Sequence, residues 1–200
     1  MYFVMEELQP KREKFSEALI TFIIPTIGRP TLQRTLDSIR ANTNPSWKAI
    51  VMFDGVDPTI TSDDPRIQIH RMNKIGMVNY AGRVRNHAIT KASTPWIGFV
   101  DDDDIITPNY VSDLYSHLPS NPDVIIFRMK DKDTILPPPD ATRFVINQVG
   151  ISFCLKTELF TDQEIWFEPS STEDFQLLNR LRLLGKHIIM SPHVNYHVRP

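Results

Sequence analysis

WIGFVDDDDIITPNYV, residues 96–111, carries three signals in one short stretch. The apolar run from Trp96 to Val100 reads as a buried strand. Asp101, Asp102, Asp103 and Asp104 follow it with no spacer. Thr107 and Pro108 then read as the N-cap and first-turn proline of a helix that runs to about Leu118. A strand that ends in carboxylates and is followed at once by a helix start is the sequence form of a ligand-facing sheet edge.

The same form repeats upstream. Residues 18–25, ALITFIIP, are a continuous apolar run closed by a proline. Gly28 and Pro30 turn the chain, and Pro30 or Thr31 opens a helix with Leu32, Leu36 and Ile39 on one face. Residues 47–53 form a second apolar strand ending at Asp54 and Gly55, and residues 66–72 alternate as a third. Helical spacing returns over 77–91 through Val78, Ala81, Val84, Ala88 and Ala92. Downstream, 123–129 reads as a strand, Pro137, Pro138 and Pro139 as a loop, and 144–160 as irregular strand structure. Residues 172–184 form a helix with Phe175, Leu178, Leu181 and Leu184 on one face and Gly185 after it. Residues 187–190 close as a short strand before a polar tail holding His193 and His197. Alternating strands and helices predict an α/β fold, a mainly parallel central sheet flanked by helices. Thr26, Asp54 and the aspartates then fall at the carboxyl ends of strands, where such sheets bind ligands.

Composition narrows the class. The chain has 200 residues, 41% hydrophobic and 23% charged, with 22 Lys and Arg against 24 Asp and Glu. A formal net charge of -2 lacks the basic excess of a nucleic-acid binder. The single cysteine, Cys154, forms no internal disulfide and makes a structural zinc site improbable. No apolar run approaches the ~20 residues of a membrane span. Glu6 and Glu7 stand where a signal peptide would be basic. The expectation is a polar lead-in over 1–17, one domain over 18–200, and a cytoplasmic location, at most peripheral to a membrane.

Four adjacent carboxylates repel one another unless a cation neutralises them. Fixed at a sheet edge, they suit a hard divalent ion such as Mg2+ or Mn2+, which takes one or two carboxylates and fills its shell with phosphate and water. The bland alternative is a solvated loop with Asp104 capping the next helix. A second acidic group, Thr172-Glu173-Asp174, opens a helix. There it either complements the helix dipole or offers a general base to a cleft.

TFIIPTIGRPTLQRTLDSI (21–39), VMFDG (51–55), AGRVRNHAI (81–89), WIGFVDDDDIITPNYV (96–111) and STEDFQLLNRL (171–181) together resemble, in order, glycosyltransferase family 2 of the GT-A fold. The resemblance covers roughly 20–198. It implies a nucleotide-sugar-binding half over 18–108 and an acceptor and catalytic-base half over 109–200. Pro25, Thr26, Asp54, Arg83, Arg85, Asn86, Asp101 and Asp102 would then lie beside the donor. The DxD motif maps onto Asp101 and Asp103, with Asp103 the first choice as metal ligand, and the metal- or phosphate-binding His that some GT-A enzymes carry near the C-terminus would be His197 or, as the alternative, His193. Asp174 would be the catalytic base, next to Glu173. The implied reaction is metal-dependent transfer of one sugar, with inversion, from a UDP-sugar to a glycan, lipid-linked or other hydroxyl acceptor. The cofactor would be Mn2+ or Mg2+, and nucleic acid would have no part. The chain lacks the Gln-x-x-Arg-Trp motif of processive synthases. Two other readings stand beside this one. One is a non-catalytic GT-A-like module that binds nucleotide or carbohydrate. The other is a sugar-phosphate nucleotidyltransferase, disfavoured because PTIGRP is a poor match to that class's Gly-rich basic loop. Trp166 and Phe167 are candidates for stacking on an acceptor sugar.

Overall fold

A computed structural model describes residues 18–76 and 80–200. The lead-in read over 1–17 and the helical start read at 77–79 lie outside the described residues.

The strands are β1 (Ile20–Thr26), β2 (Trp47–Asp54), β3 (Ile67–Met72), β4 (Trp96–Phe99), β5 (Ile105–Ile106), β6 (Val124–Asp131), β7 (Thr134–Leu136), β8 (Phe153–Lys156) and β9 (Ile188–Val198). The helices are α1 (Leu32–Arg40), α2 (Gly82–Ile89), α3 (Tyr110–His117), α4 (Glu158–Thr161) and α5 (Glu173–Leu183). All strands join one sheet in the order β3-β2-β1-β4-β8-β6-β9-β5, with β7 on β6. Pairs among β3, β2, β1 and β4 are parallel. The α/β class is as read from the sequence, but the second half of the sheet is mixed. There β8 runs antiparallel between β4 and β6, while β9 is parallel to β6.

Strands β1 and β2 are buried on both faces almost throughout, which is why they read as unbroken apolar runs. Their register pairs Ile20 with Trp47 and Thr26 with Phe53, so the two finish level. Strand β4 pairs Ile20 with Trp96 and Ile23 with Phe99, and so stops three residues short of the end of β1. That offset sets the aspartate run beside Ile24, Pro25 and Thr26. Strand β5 resumes pairing at once, with Tyr196 and His197 of β9. The acidic run is therefore a bridge fixed at both ends. It crosses from the parallel half of the sheet to its far edge.

Three sequence expectations are corrected here. Helix α3 starts after Asn109 rather than at Thr107 and Pro108. The hydroxyl of Thr107 is committed elsewhere: it donates to Asn195 Oδ1 at 2.7 Å, while its N–H donates to the Asn195 carbonyl. The polar tail read after Met190 is instead most of β9. Its polar residues find partners at long range: Ser191 Oγ pairs with the His117 ring at 3.0 Å, and Asn195 Nδ2 donates to Asp113 at 2.8 Å. Phe167 packs among Phe99, Phe153 and Phe160 in the core, and Trp166 leans on Phe160. Burial leaves Phe167 no face for a sugar.

Candidate functional site

A cavity of about 700 Å³ opens at the carboxyl ends of β1, β2 and β4. Pro25, Thr26, Asp54, Arg85, Asp101, Asp102, Glu173 and Asp174 line it, with Arg29, Lys74 and Tyr80.

Asp54 closes one end. Its carboxylate accepts from Lys74 Nζ at 2.8 Å, from the Ile75 N–H at 2.7 Å and from the Gly76 N–H at 3.1 Å. Burial pushes its pKa up, but the lysine and the two amides outweigh it and hold Asp54 below the usual carboxylate range. The turn that lets residues 74–76 fold back needs Gly55, at φ +77°, where a Cβ would lie 2.7 Å from Lys74 Cβ. Gly55→Ala should therefore cost about 1–2 kcal/mol of stability. Denaturant melts check the expected loss.

The aspartates divide their work. Thr26 Oγ1 donates to Asp102 Oδ2 at 2.6 Å. Arg29 Nη1 spans Asp102 Oδ1 at 3.2 Å and Asp103 Oδ2 at 2.7 Å. Asp104 points inward, accepting from the Tyr196 hydroxyl at 2.7 Å and the Arg199 N–H at 2.9 Å. Its carboxyl is pushed up to about 6, chiefly by burial and then by Asp101. Asp104 thus ties the loop to β9 and does not cap α3.

Arg85, on α2 and only 4% exposed, joins the loop to α5. Its Nη2 donates to Asp101 Oδ1 and its Nη1 to Glu173 Oε1, each at 2.6 Å, and Asp174 Oδ1 lies 3.8 Å away. Burial disfavours the guanidinium charge, but Asp101, Asp174 and Glu173 more than restore it. Glu173 also accepts the Ala81 and Gly82 N–H groups at 3.2 and 3.1 Å, at the amino end of α2. Both its oxygens are engaged. Burial pushes Glu173 up, with Arg85 and the two amides opposing. Asp174 differs. Its Oδ1 is buried with no hydrogen-bond partner among the described residues. Burial pushes its carboxyl up to about 7, against Arg85 and with help from Asp101 and Glu173. Of the two acids, Asp174 is the one free to exchange a proton near neutrality.

Four of the expected site residues, Arg83, Asn86, His197 and Asp103, do not line this cavity. Arg83 is exposed on the outer side of α2. Asn86 exchanges two hydrogen bonds with the backbone of Phe167, at 2.9 and 3.0 Å, so it fixes the segment before α5 and does not face the cavity. His197 lines a separate depression with Lys130 and Lys132, because β9 carries it past the aspartate bridge. It does not line the cavity that holds Asp101 and Asp102. His193 sits by Asp113 and His117. Asp103 stands beside the cavity, held by Arg29. Sequence reasoning missed Arg29, Lys74 and Tyr196. Arg29 had a signal, a cation in the turn after β1. Tyr196 had none, because it lay in what read as a tail.

Residues 21–171 match the family described as Glycosyl transferase family 2. The chain belongs to that family. The match stops just before α5, so Glu173 and Asp174 lie beyond it. Comparison with curated proteins gives no sequence match. Solved structures do match. S. aureus TarS 1-349 in complex with UDP aligns with a TM-score of 0.71 at 17% identity, over 90% of this chain and 60% of that one. The same protein with UDP-GlcNAc gives 0.70, also at 17% identity, over 90% of this chain and 58% of that one. Mannosyltransferase PcManGT from Pyrobaculum calidifontis, in complex with GDP-Man and Mn2+, gives 0.66 at 14% identity, over 92% and 57%. This glycosyl transferase family 2 chain therefore has the GT-A fold and spans about three fifths of the length of these structures. Among its described residues no helix is long and apolar enough to cross a membrane.

The site's donors fit a hard cation: they are all oxygen, and the Asp102–Asp103 pair already attracts a guanidinium. Among the described residues no group of three or more His, Cys, Asp or Glu is arranged to hold a metal by itself. A cation here would take one or two protein oxygens and need the rest from a ligand.

Proposed function

We propose that this chain transfers a single sugar from a nucleotide-sugar donor, in the first instance a UDP-sugar, to an acceptor hydroxyl with inversion, and that it requires Mn2+ or Mg2+. One observation carries the reading. A single cavity at the carboxyl ends of β1, β2 and β4 is lined by an acid bound to two backbone amides (Asp54), by the carboxylate edge of Asp101 and Asp102, and by an acid whose Oδ1 has no hydrogen-bond partner among the described residues (Asp174). The family match supports transfer chemistry, and the UDP, UDP-GlcNAc and GDP-Man complexes of the structural neighbours support the donor class.

The residues divide the reaction as follows. Pro25, Thr26 and Asp54 position the nucleoside. Asp101 and Asp103, with Asp102 between them, would hold the divalent ion, which when bound supplies Lewis-acid stabilisation of the departing diphosphate. Arg85 keeps Asp101 fixed. Asp174 accepts the proton of the acceptor hydroxyl as its oxygen bonds to the anomeric carbon. The bond from that carbon to the diphosphate oxygen breaks, and nucleoside diphosphate leaves with the electron pair. One base and one displacement invert the anomeric centre. The acceptor approaches from the side built by residues 109–200, a glycan, lipid-linked or other hydroxyl compound.

The test is release of nucleoside diphosphate from UDP-glucose, UDP-galactose, UDP-GlcNAc and GDP-mannose with Mn2+. Release should stop with EDTA, return with Mn2+, and fall at least tenfold in Asp101→Ala and Asp103→Ala. Nucleotide binding with no turnover, even with acceptors supplied, would identify a binding module instead. Pyrophosphate release from a nucleoside triphosphate and a sugar phosphate would identify a nucleotidyltransferase.

A further inference from the structure

Each aspartate of the run already has a protein partner, but the partners differ in kind. Asp101 is held by the buried Arg85, and Asp104 by Tyr196, whose side chain is fully buried. Asp102 and Asp103 share Arg29, which is 47% exposed and can leave without disturbing the core. Its backbone, by contrast, is fixed. The Gly28 N–H donates to Thr26 Oγ1 at 2.9 Å and the Leu32 N–H to the Arg29 carbonyl at 3.2 Å. Only the side chain needs to swing. Arg29 also lines the same cavity as Asp54 and Asp101.

We propose that Arg29 is a resident counter-cation which occupies the Asp102–Asp103 carboxylates until a nucleoside diphosphate draws it away, so that a divalent ion is captured with the nucleotide and not before it. The inference rests on the metal-dependent reading above. Two carboxylates bridged by a guanidinium carry one net negative charge, and a divalent ion must compete for the same oxygens. A diphosphate offers the guanidinium an equal or better partner, because Arg pairs with phosphate oxygens in the same bidentate fashion as with carboxylate. Once Arg29 has moved to the diphosphate, the freed carboxylate oxygens and the phosphate oxygens complete a shell that the protein cannot fill alone. Metal and nucleotide then strengthen each other's binding, by the same factor in both directions.

The test measures free Mn2+ by electron paramagnetic resonance over the full chain, with and without UDP or GDP. The wild type should bind Mn2+ weakly alone and at least tenfold more tightly with nucleotide. Arg29→Gln removes one charge a few ångströms from the ion at a solvated edge, so Mn2+ alone should bind about tenfold more tightly. The gain from nucleotide should shrink correspondingly. Arg34→Gln is the control: Arg34 touches the Asp103 carbonyl and not its carboxylate, so it should raise Mn2+ affinity less than Arg29→Gln does and leave the gain from nucleotide intact. A melting curve for each variant confirms that it is folded. Unchanged or weaker Mn2+ binding by Arg29→Gln, with the nucleotide effect intact, overturns the role of Arg29 and leaves the metal-dependent reading standing. Absence of Mn2+ binding by both proteins, with either nucleotide, overturns both.

Discussion

Asp174→Asn is expected to lower sugar transfer by ~10² or more while leaving donor affinity near that of the wild type, because general-base contributions are of that size. The same substitution should raise stability at neutral pH. Asp174 is an acid whose folded pKa, about 7, lies above its ordinary value of 3.8. The folded state therefore binds the proton more tightly than the unfolded chain. Stability falls as pH rises from about 4 to about 7 and is level above that. Above pH 7 the protein carries an ionised carboxylate in a site already holding Asp101 and Glu173, with one guanidinium among the three. Asparagine removes that repulsion. Full conversion of a three-unit shift would be about 4 kcal/mol. The side chain is 25% exposed, and solvent screening reduces the expected gain to about 1–2 kcal/mol, a few degrees in Tm for a chain of this size. The gain should be small near pH 4, grow to pH 7 and then stay constant. In the wild type kcat/KM should climb with pH through this range and flatten above it, since the base acts when deprotonated. An Asp174→Asn protein with wild-type transfer would remove Asp174 from the reaction. One with lower Tm at pH 8 would remove the electrostatic account.

The sequence showed the ligand edge of the sheet more clearly than it showed the far half, for physical reasons. Strands β1, β2 and β4 are covered on both faces, so burial writes them as apolar runs, and the first polar residue after each marks the cavity rim. Thr26, Asp54 and Asp101 all line the cavity on that logic. Strand β9 is different. Ser191, Asn195 and Tyr196 are buried but polar, and their partners lie on α3 and in the aspartate loop. No local pattern announces a strand whose polar groups are satisfied from 74 to 92 residues away. The site shows the same contrast. That Glu173 and Asp174 open a helix was legible. That one is anchored on the amides of Ala81 and Gly82 while the Oδ1 of the other has no hydrogen-bond partner among the described residues depends on how α2 and α5 meet. Asn86 and Arg83 sit on the α2 segment whose resemblance was clear, yet only Arg85 turns inward, because Val84 and Arg85 share the buried face of that helix.

Arg85→Met is expected to give the largest structural effect of any single change in the site. It replaces a nearly volume-matched stem but removes the one guanidinium shared by Asp101, Glu173 and Asp174. Removing one side of a buried ion pair costs about 3–5 kcal/mol, because the stranded charge has lost both water and partner. For a chain of this size that is roughly 6–20 °C in Tm. Transfer should fall below detection, since Asp101 and the start of α5 lose their common anchor. Two further measurements separate this cause from a packing defect. Lowering the pH from 8 to 5 should recover part of the lost stability, because protonation neutralises the Glu173 and Asp174 carboxyls that burial already pushes upward. Adding Glu173→Gln to Arg85→Met should likewise recover part of the stability, as it removes one of the three carboxylates that the lost guanidinium leaves stranded. Arg85→Lys should do neither well: one ammonium cannot reach Asp101 and Glu173 in opposite directions as the two Nη groups do. Its stability should lie between wild type and methionine while activity stays low. If the methionine variant loses the same stability at pH 5 as at pH 8, and the added glutamine gives nothing back, then Arg85 serves the fold by packing, and the three acids do not depend on its charge.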